Sequence, residues 1–249
     1  MSEPLLVVDD IRKSFGGIIA LDGLSFKVHS GEILGIVGPN GAGKSAMINV
    51  VSGIYPADAG TISLSGRELG RLPAHERSRA GIARTFQNIR LFTRLSVLEN
   101  VLLARKENVI NPLRSIFRGR HSELVDEAME QLEFMRLADK ADWLAGSLAY
   151  GEARRLEIAR ALASKPSLMF LDEPAAGMND QETALLIKDI RAARARVQSI
   201  VIVEHDVALL RNLSDRLVAL NFGQLIAEGA PNDVLGHPEV ARAYLGTTL

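Results

Sequence analysis

The residues with the clearest capacity for chemistry form one run, Gly38-Pro39-Asn40-Gly41-Ala42-Gly43-Lys44-Ser45-Ala46. Its glycines let several backbone N–H groups converge on a single anion, Lys44 adds an ammonium, and the Ser45 hydroxyl is a hard oxygen of the kind Mg²⁺ takes. Such a loop holds a nucleoside triphosphate by its phosphates. It works only between a strand and a helix, because the helix N-terminus supplies unpaired N–H groups and a partial positive charge. Residues 33–37 read as that strand and 44–51 as that helix.

A second, acidic element stands at Leu168-Met169-Phe170-Leu171-Asp172-Glu173, an apolar run ending in two carboxylates. Successive side chains of a strand point opposite ways, so Asp172 is placed to hold the Mg²⁺ shell beside Ser45 while Glu173 is placed to polarise water against the terminal phosphate. His205 and Gln87 follow the runs 200–203 and 82–85, and a parallel sheet brings its strand ends to one ligand edge. The His205 imidazole can bond the γ-phosphate and hold the attacking water, and the Gln87 amide can reach Mg²⁺ or water. Phe15, before Gly16-Gly17, offers a face for an adenine ring. Plainer readings stand beside these: His205 as a structural histidine, Gln87 as a loop amide, Phe15 as an aromatic packed on an edge strand.

The elements that must position these groups follow from periodicity. Short β-branched runs at 5–9, 24–28, 33–37, 61–64, 82–85, 168–171, 200–203, 217–220 and 224–228 alternate with helical periods, which predicts an α/β fold with a mostly parallel sheet and an antiparallel edge sheet built from the early strands. The strand signal vanishes from 97 to 163, where stretches such as 122–137 are helical. The expected division is an α/β core with its β edge over 1–96 and 164–249, and an inserted helical subdomain over 97–163. The basic stretch 105–120, with Asn111-Pro112 inside it, reads as a loop between helices.

Composition bounds the function. The 249 residues carry 29 basic and 30 acidic side chains, so no bulk field draws the molecule to nucleic acid or an anionic membrane, and any anion site is local. The absence of cysteine excludes a disulfide framework, a thiolate metal site and a cysteine nucleophile. The start Met1-Ser2-Glu3-Pro4 lacks the layout of a signal peptide, and no apolar run is long enough to span a bilayer. A cytosolic setting fits.

Leu148-Ala149-Tyr150-Gly151-Glu152 runs into a helix with Leu156, Ala159 and Ala163 on one face. Here the sequence resembles the ATP-binding subunits of ABC transporters, whose Leu-Ser-Gly-Gly-Gln signature caps such a helix. The resemblance spans the chain, taking Phe15, Gly38 to Ser45, Gln87, Leu148 to Glu152, Asp172, Glu173 and His205 in the family's order, with Ala176-Gly177-Met178-Asn179 at its D-loop. It implies ATP and Mg²⁺ as cofactors and a second ATPase subunit, identical or paralogous, whose ATP the signature contacts. It further implies two membrane-spanning permease subunits, an indirectly linked solute-binding protein, no nucleic acid, and a place on the cytoplasmic face of the cell membrane. Thr85-Phe86-Gln87-Asn88-Ile89-Arg90-Leu91-Phe92, the Ala-Tyr-Gly signature, Glu173-Pro174-Ala175-Ala176-Gly177, the insert around 114–120 and the tail through Ala243-Tyr244-Leu245-Gly246 are similar to the ATPases of high-affinity branched-chain amino-acid importers. Departures are Ala46 for a common Thr, Ala149 for the signature serine and Ala153 for Gln.

Competing readings are an export ATPase of the lipopolysaccharide-extraction type, and a soluble ATP-binding factor of translation or DNA repair. The first usually keeps the signature serine; the others bring fused cassettes or long coiled coils, which this chain lacks. No Asn-Lys-x-Asp string supports a guanine-nucleotide switch. In the stretch 87–100, Phe92, Leu95 and Val97 supply apolar side chains that either line a groove for a helix of the membrane subunit or pack the two subdomains together.

Overall fold

The computed structural model describes residues 3–104 and 121–245. The stretch 105–120, expected as a loop, lies outside the described residues, as does Gly246. Two sheets organise the fold. The first is antiparallel, ordered β2-β1-β4-β5, from β1 (Pro4–Phe15), β2 (Ile18–His29), β4 (Ala59–Leu64) and β5 (Arg67–Glu68). The second, ordered β10-β9-β3-β8-β7-β6, comprises β3 (Ile33–Val37), β6 (Ile82–Arg84), β7 (Leu168–Asp172), β8 (Ser199–Val203), β9 (Arg216–Asn221) and β10 (Gln224–Gly229). All its pairs are parallel except β10 with β9. This is the α/β architecture that the alternation of runs predicts.

Strands β3, β7 and β8 are buried at every residue, and their side chains divide by parity. Ile33, Val37, Met169, Leu171, Ile200 and Ile202 enter one core cluster, while Leu34, Ile36, Leu168, Phe170, Val201 and Val203 enter the other. The second cluster also holds Met47 and Ile48 of α1 (Lys44–Val51) and the inner residues Leu6, Val8 and Phe26 of the antiparallel sheet. The first takes in the helices between β6 and β7: α3 (Val97–Leu103), α4 (His121–Phe134) and α5 (Tyr150–Ala163). Further helices are α2 (Ala74–Ala80), α6 (Asp180–Ala193), α7 (Val207–Leu213), α8 (Pro231–Leu235) and α9 (Pro238–Leu245).

Two expectations change. β1 and β2 run well beyond 5–9 and 24–28, to a two-residue hairpin at Gly16-Gly17 with φ of 52° and 88°. Register shifts between Val8 and Lys13 break the alternation that would betray a strand, and polar side chains there are paired instead, Lys13 with Asp58 at 2.6 Å and Arg12 with Asp22 at 2.8 Å. Val97 cannot line a groove. It is fully buried in the first turn of α3, which Ser96 and Glu99 close with a reciprocal capping box. Phe92, by contrast, is 54% exposed, and Leu95 is half-buried. Among the described residues no helix is long and apolar enough to cross a membrane.

Candidate active site

The loop from Gly38 to Gly43 turns out of β3 at the carboxyl edge of the parallel sheet and feeds α1. Gly38 is obligatory there, since a Cβ would stand 2.3 Å from the Leu220 carbonyl oxygen of β9. Gly43, with φ of 101°, is the N-cap of α1. Lys44 Nζ donates to the carbonyls of Gly38 at 2.5 Å and Pro39 at 2.9 Å. Burial pushes the Lys44 pKa down, and the carboxylates of Glu173 and Asp172 oppose that shift. A cavity of about 480 Å³ opens beside the loop, walled by Asn40 to Ala46, by Phe15 and Tyr55, and by Glu173. The Phe15 and Tyr55 rings meet edge to face at 5.1 Å, so the aromatic wall has two members. Gly38 and Pro39 lie behind it, meeting Lys44 through their carbonyls.

Asp172 ends β7, nearly buried, and its Oδ2 accepts from Arg84 Nη2 at 2.9 Å. Burial pushes the Asp172 pKa up, and Arg84 pulls it back. Glu173 follows in a left-handed conformation, φ 46°, pinned by its N–H to the Val203 carbonyl at 2.8 Å. Its Oε2 accepts from Gln87 Nε2 at 2.7 Å and lies 4.0 Å from His205 Nδ1. Gln87 is thus bonded to this carboxylate, and His205 stands close by it, nearer to Glu204 Oε2 at 3.5 Å. Beneath them, buried Glu204 accepts from the N–H groups of Ala175 at 3.0 Å and His205 at 3.1 Å, joining the loops after β7 and β8. The hard-oxygen set of Ser45, Asp172 and the Gln87 carboxamide suits Mg²⁺, which takes one or two carboxylates and completes its shell from phosphate and water.

Leu148 to Glu152 lie off the wall of this cavity. Ala149 is the N-cap of α5 and has no side-chain oxygen to offer; the Glu152 carboxylate accepts from the Ala149 N–H at 3.2 Å. Glu152 is paired with Lys140, which pulls its pKa down. The Tyr150 hydroxyl donates to the Ala176 carbonyl at 2.7 Å. One turn on, fully buried Arg154 donates to the carbonyls of Phe86 at 2.7 Å and Gln87 at 2.8 Å and to Glu157 at 2.8 Å, while Glu157 accepts the Phe86 N–H at 3.2 Å. The helix after the signature therefore grips the backbone of Gln87, whose side chain grips Glu173. Sequence reasoning missed Tyr55, Arg84, Arg154, Glu157 and Glu204. Arg154 and Glu157 stand at i,i+3, a visible pairing signal, but that spacing reads equally as a solvated helix face.

A mostly parallel sheet with a glycine-rich phosphate loop, an acidic strand end and two polar side chains, Gln87 and His205, beside the terminal carboxylate defines a P-loop ATPase. Comparison with known proteins narrows this. The family described as ABC transporter matches residues 21–176, and the chain belongs to it. Residues 224–248 match a family described as branched-chain amino acid ATP-binding cassette transporter. The high-affinity branched-chain amino acid transport ATP-binding protein LivG of Salmonella typhimurium is 41% identical over 99% of both chains. Among solved structures, the ADP conformation of an ATP-binding cassette of an ABC transporter superposes with a TM-score of 0.87 at 34% identity, over 98% of this chain and 100% of that one. A dimeric post-hydrolysis cassette bound to ADP and Pi gives 0.76 at 25% identity, over 91% and 98%.

Proposed function

We propose that this chain is the ATP-hydrolysing subunit that powers import of branched-chain or other hydrophobic amino acids through a membrane ABC transporter. The observation that carries the reading is the meeting of Gln87, Glu173 and His205 beside the Lys44 loop, in a chain 41% identical to LivG along its length. The loop N–H groups and Lys44 bind the β- and γ-phosphates of ATP, Phe15 stacks on adenine, and Ser45, Asp172 and Gln87 hold Mg²⁺. When bound, that ion supplies charge neutralisation at the phosphate oxygens. Glu173 takes the proton of the attacking water, Gln87 orients the carboxylate, and His205 bonds the γ-phosphate. Leu148 to Glu152 engage the ATP of a second ATPase subunit through N–H groups at the start of α5, Ala149 having no hydroxyl for the task.

Two permease subunits complete the assembly, and the chain sits peripherally on the cytoplasmic face of the cell membrane. A cavity of about 380 Å³ lined by Ile54, His75, Phe86, Glu157 and Arg160, with exposed Phe92 nearby in sequence, suits a helix of such a subunit. The test is reconstitution with the membrane subunits and solute-binding protein that copurify with it. ATP hydrolysis should rise when leucine, isoleucine or valine loads the binding protein, and accumulation of the labelled amino acid should require ATP. Hydrolysis indifferent to every such solute, or copurification with ribosomes or DNA, overturns the reading.

A further inference from the structure

The C-terminal helix α9 reaches back to the phosphate loop. The Gly38 N–H donates to the Tyr244 hydroxyl at 3.0 Å, a contact that spans 206 positions of sequence. Gly38 is already boxed in on its other side by the Leu220 carbonyl of β9. Its own carbonyl accepts from Lys44 Nζ at 2.5 Å. One residue therefore carries Tyr244 on its N–H and Lys44 on its C=O. The helix bearing the tyrosine is anchored by Val240, which is 3% exposed in the core cluster shared with β3 and β7. Burial raises the Tyr244 pKa, keeping the hydroxyl neutral at working pH. The ABC transporter match ends at residue 176, whereas the branched-chain match over 224–248 contains Tyr244.

We propose that Tyr244 is a positioning residue for nucleotide binding, holding the Gly38 peptide and through it the point from which Lys44 presents its ammonium. The proposal rests on the reading of the loop as an ATP site and adds to it a task for the C-terminal segment. A glycine-rich loop is conformationally free, and a loop that must order itself on an anion loses affinity to that ordering. A hydrogen bond already made in the unliganded chain removes part of the loss. Its target matters: the Gly38 carbonyl is one of two backbone acceptors that keep Lys44 in place while it is buried.

The experiment compares the full chain with Tyr244→Phe, which removes one oxygen, and with Val240→Ala, which loosens the same helix but keeps the hydroxyl. Steady-state hydrolysis and calorimetric titration with ATP·Mg²⁺ are read against the melting temperature of the nucleotide-free protein. Y244F should raise KM and Kd for ATP about threefold to tenfold with kcat held, while its melting temperature falls by no more than one neutral hydrogen bond is worth. V240A should lower the melting temperature with a smaller change in KM. The proposal is overturned if Y244F leaves Kd unchanged, or if both variants lose affinity only in proportion to lost melting temperature. A wild-type chain that binds no ATP overturns the nucleotide reading and this proposal with it; equal, measurable binding by wild type and Y244F overturns this proposal alone.

Discussion

The phosphate loop is enclosed by its own chain. Lys44 is buried on the carbonyls of Gly38 and Pro39, the loop is held by β9 and by Tyr244, and Glu173 closes the same cavity. The start of α5 differs: its N-cap is an alanine with no side-chain oxygen, and its contacts run to Ala176 and through Arg154 to Gln87. One region is built to receive a ligand from solvent, the other to report on parts of its own chain while presenting an open helix end. The difference teaches that the two ends of the signature helix do different work. Its first residue, Tyr150, lies at the surface and reaches Ala176, and Arg154 one turn on is buried and holds the backbone of 86–87.

The strongest way to break this contrast is at the enclosed end. Glu173→Gln keeps the loop, Asp172 and Lys44, so ATP binding should persist, while loss of the proton acceptor should cut turnover by about 10²- to 10⁴-fold. Phosphate release and equilibrium ATP binding, measured on the same preparation, check it. Turnover near wild type would remove Glu173 from the chemistry.

At the other end, Arg154→Met leaves Glu157 buried without its cation. Removing one partner of a buried pair costs about 3–5 kcal/mol, so the melting temperature should fall steeply. Arg154→Met with Glu157→Leu should recover part of that stability, because the unpaired buried carboxylate is gone while half-buried Arg160 loses its Glu157 neighbour. In the double variant ATP binding should match wild type while hydrolysis drops, since Gln87 has lost its backbone clamp. Denaturant melts, ATP titration and hydrolysis on the three proteins decide whether the two regions separate as drawn.

A smaller effect sharpens the picture of the loop. Ala46 lies on the cavity wall in the first turn of α1, where a threonine hydroxyl would face the bound phosphates. Ala46→Thr should tighten ATP binding by about 1 kcal/mol, one added hydrogen bond. Unchanged affinity would mean that the wall at 46 is out of reach of the nucleotide.

The enclosed region was largely legible in the sequence, and the α5 region much less so. Residues 33–37 and 168–171 are apolar on both faces, so strand, loop and acid could be placed by local pattern alone, and helix 44–51 falls where expected. Backbone geometry then brings Gln87, Glu173 and His205 together through the parallel order β6-β7-β8. The grip of Arg154 and Glu157 is tertiary: nothing local distinguishes a charge that faces water from one that faces the carbonyl of residue 87. The contact of Tyr244 is tertiary in the same way, 206 positions from the glycine it meets, whereas Tyr55 lies only just beyond α1 and gave no local sign of facing the loop. Val97 settles one of two open readings, as an apolar side chain that serves the core.

The smallest effect concerns Glu204, which ties the loop after β7 to that after β8 beneath the site. Burial pushes its carboxyl above the ordinary value of 4.5, with the Ala175 and His205 N–H groups opposing. An acid raised in the folded state favours proton uptake on folding, so its stabilising contribution is complete below its unfolded value and is lost as the pH rises through its folded value. As the pH rises through that folded value Glu204 becomes a net cost that Glu204→Gln removes, set against a constant loss because the amide offers one acceptor oxygen where the carboxylate offers two. The constant loss does not depend on pH; the difference between the two proteins does. Melting temperatures taken between about pH 5 and pH 8 should show the Gln variant gaining on wild type as the pH rises. A pH-independent difference would mean that the N–H groups of Ala175 and His205 offset the burial fully, and a difference running the other way would make Glu204 a stabilising anion that belongs with Glu173 in the enclosed site.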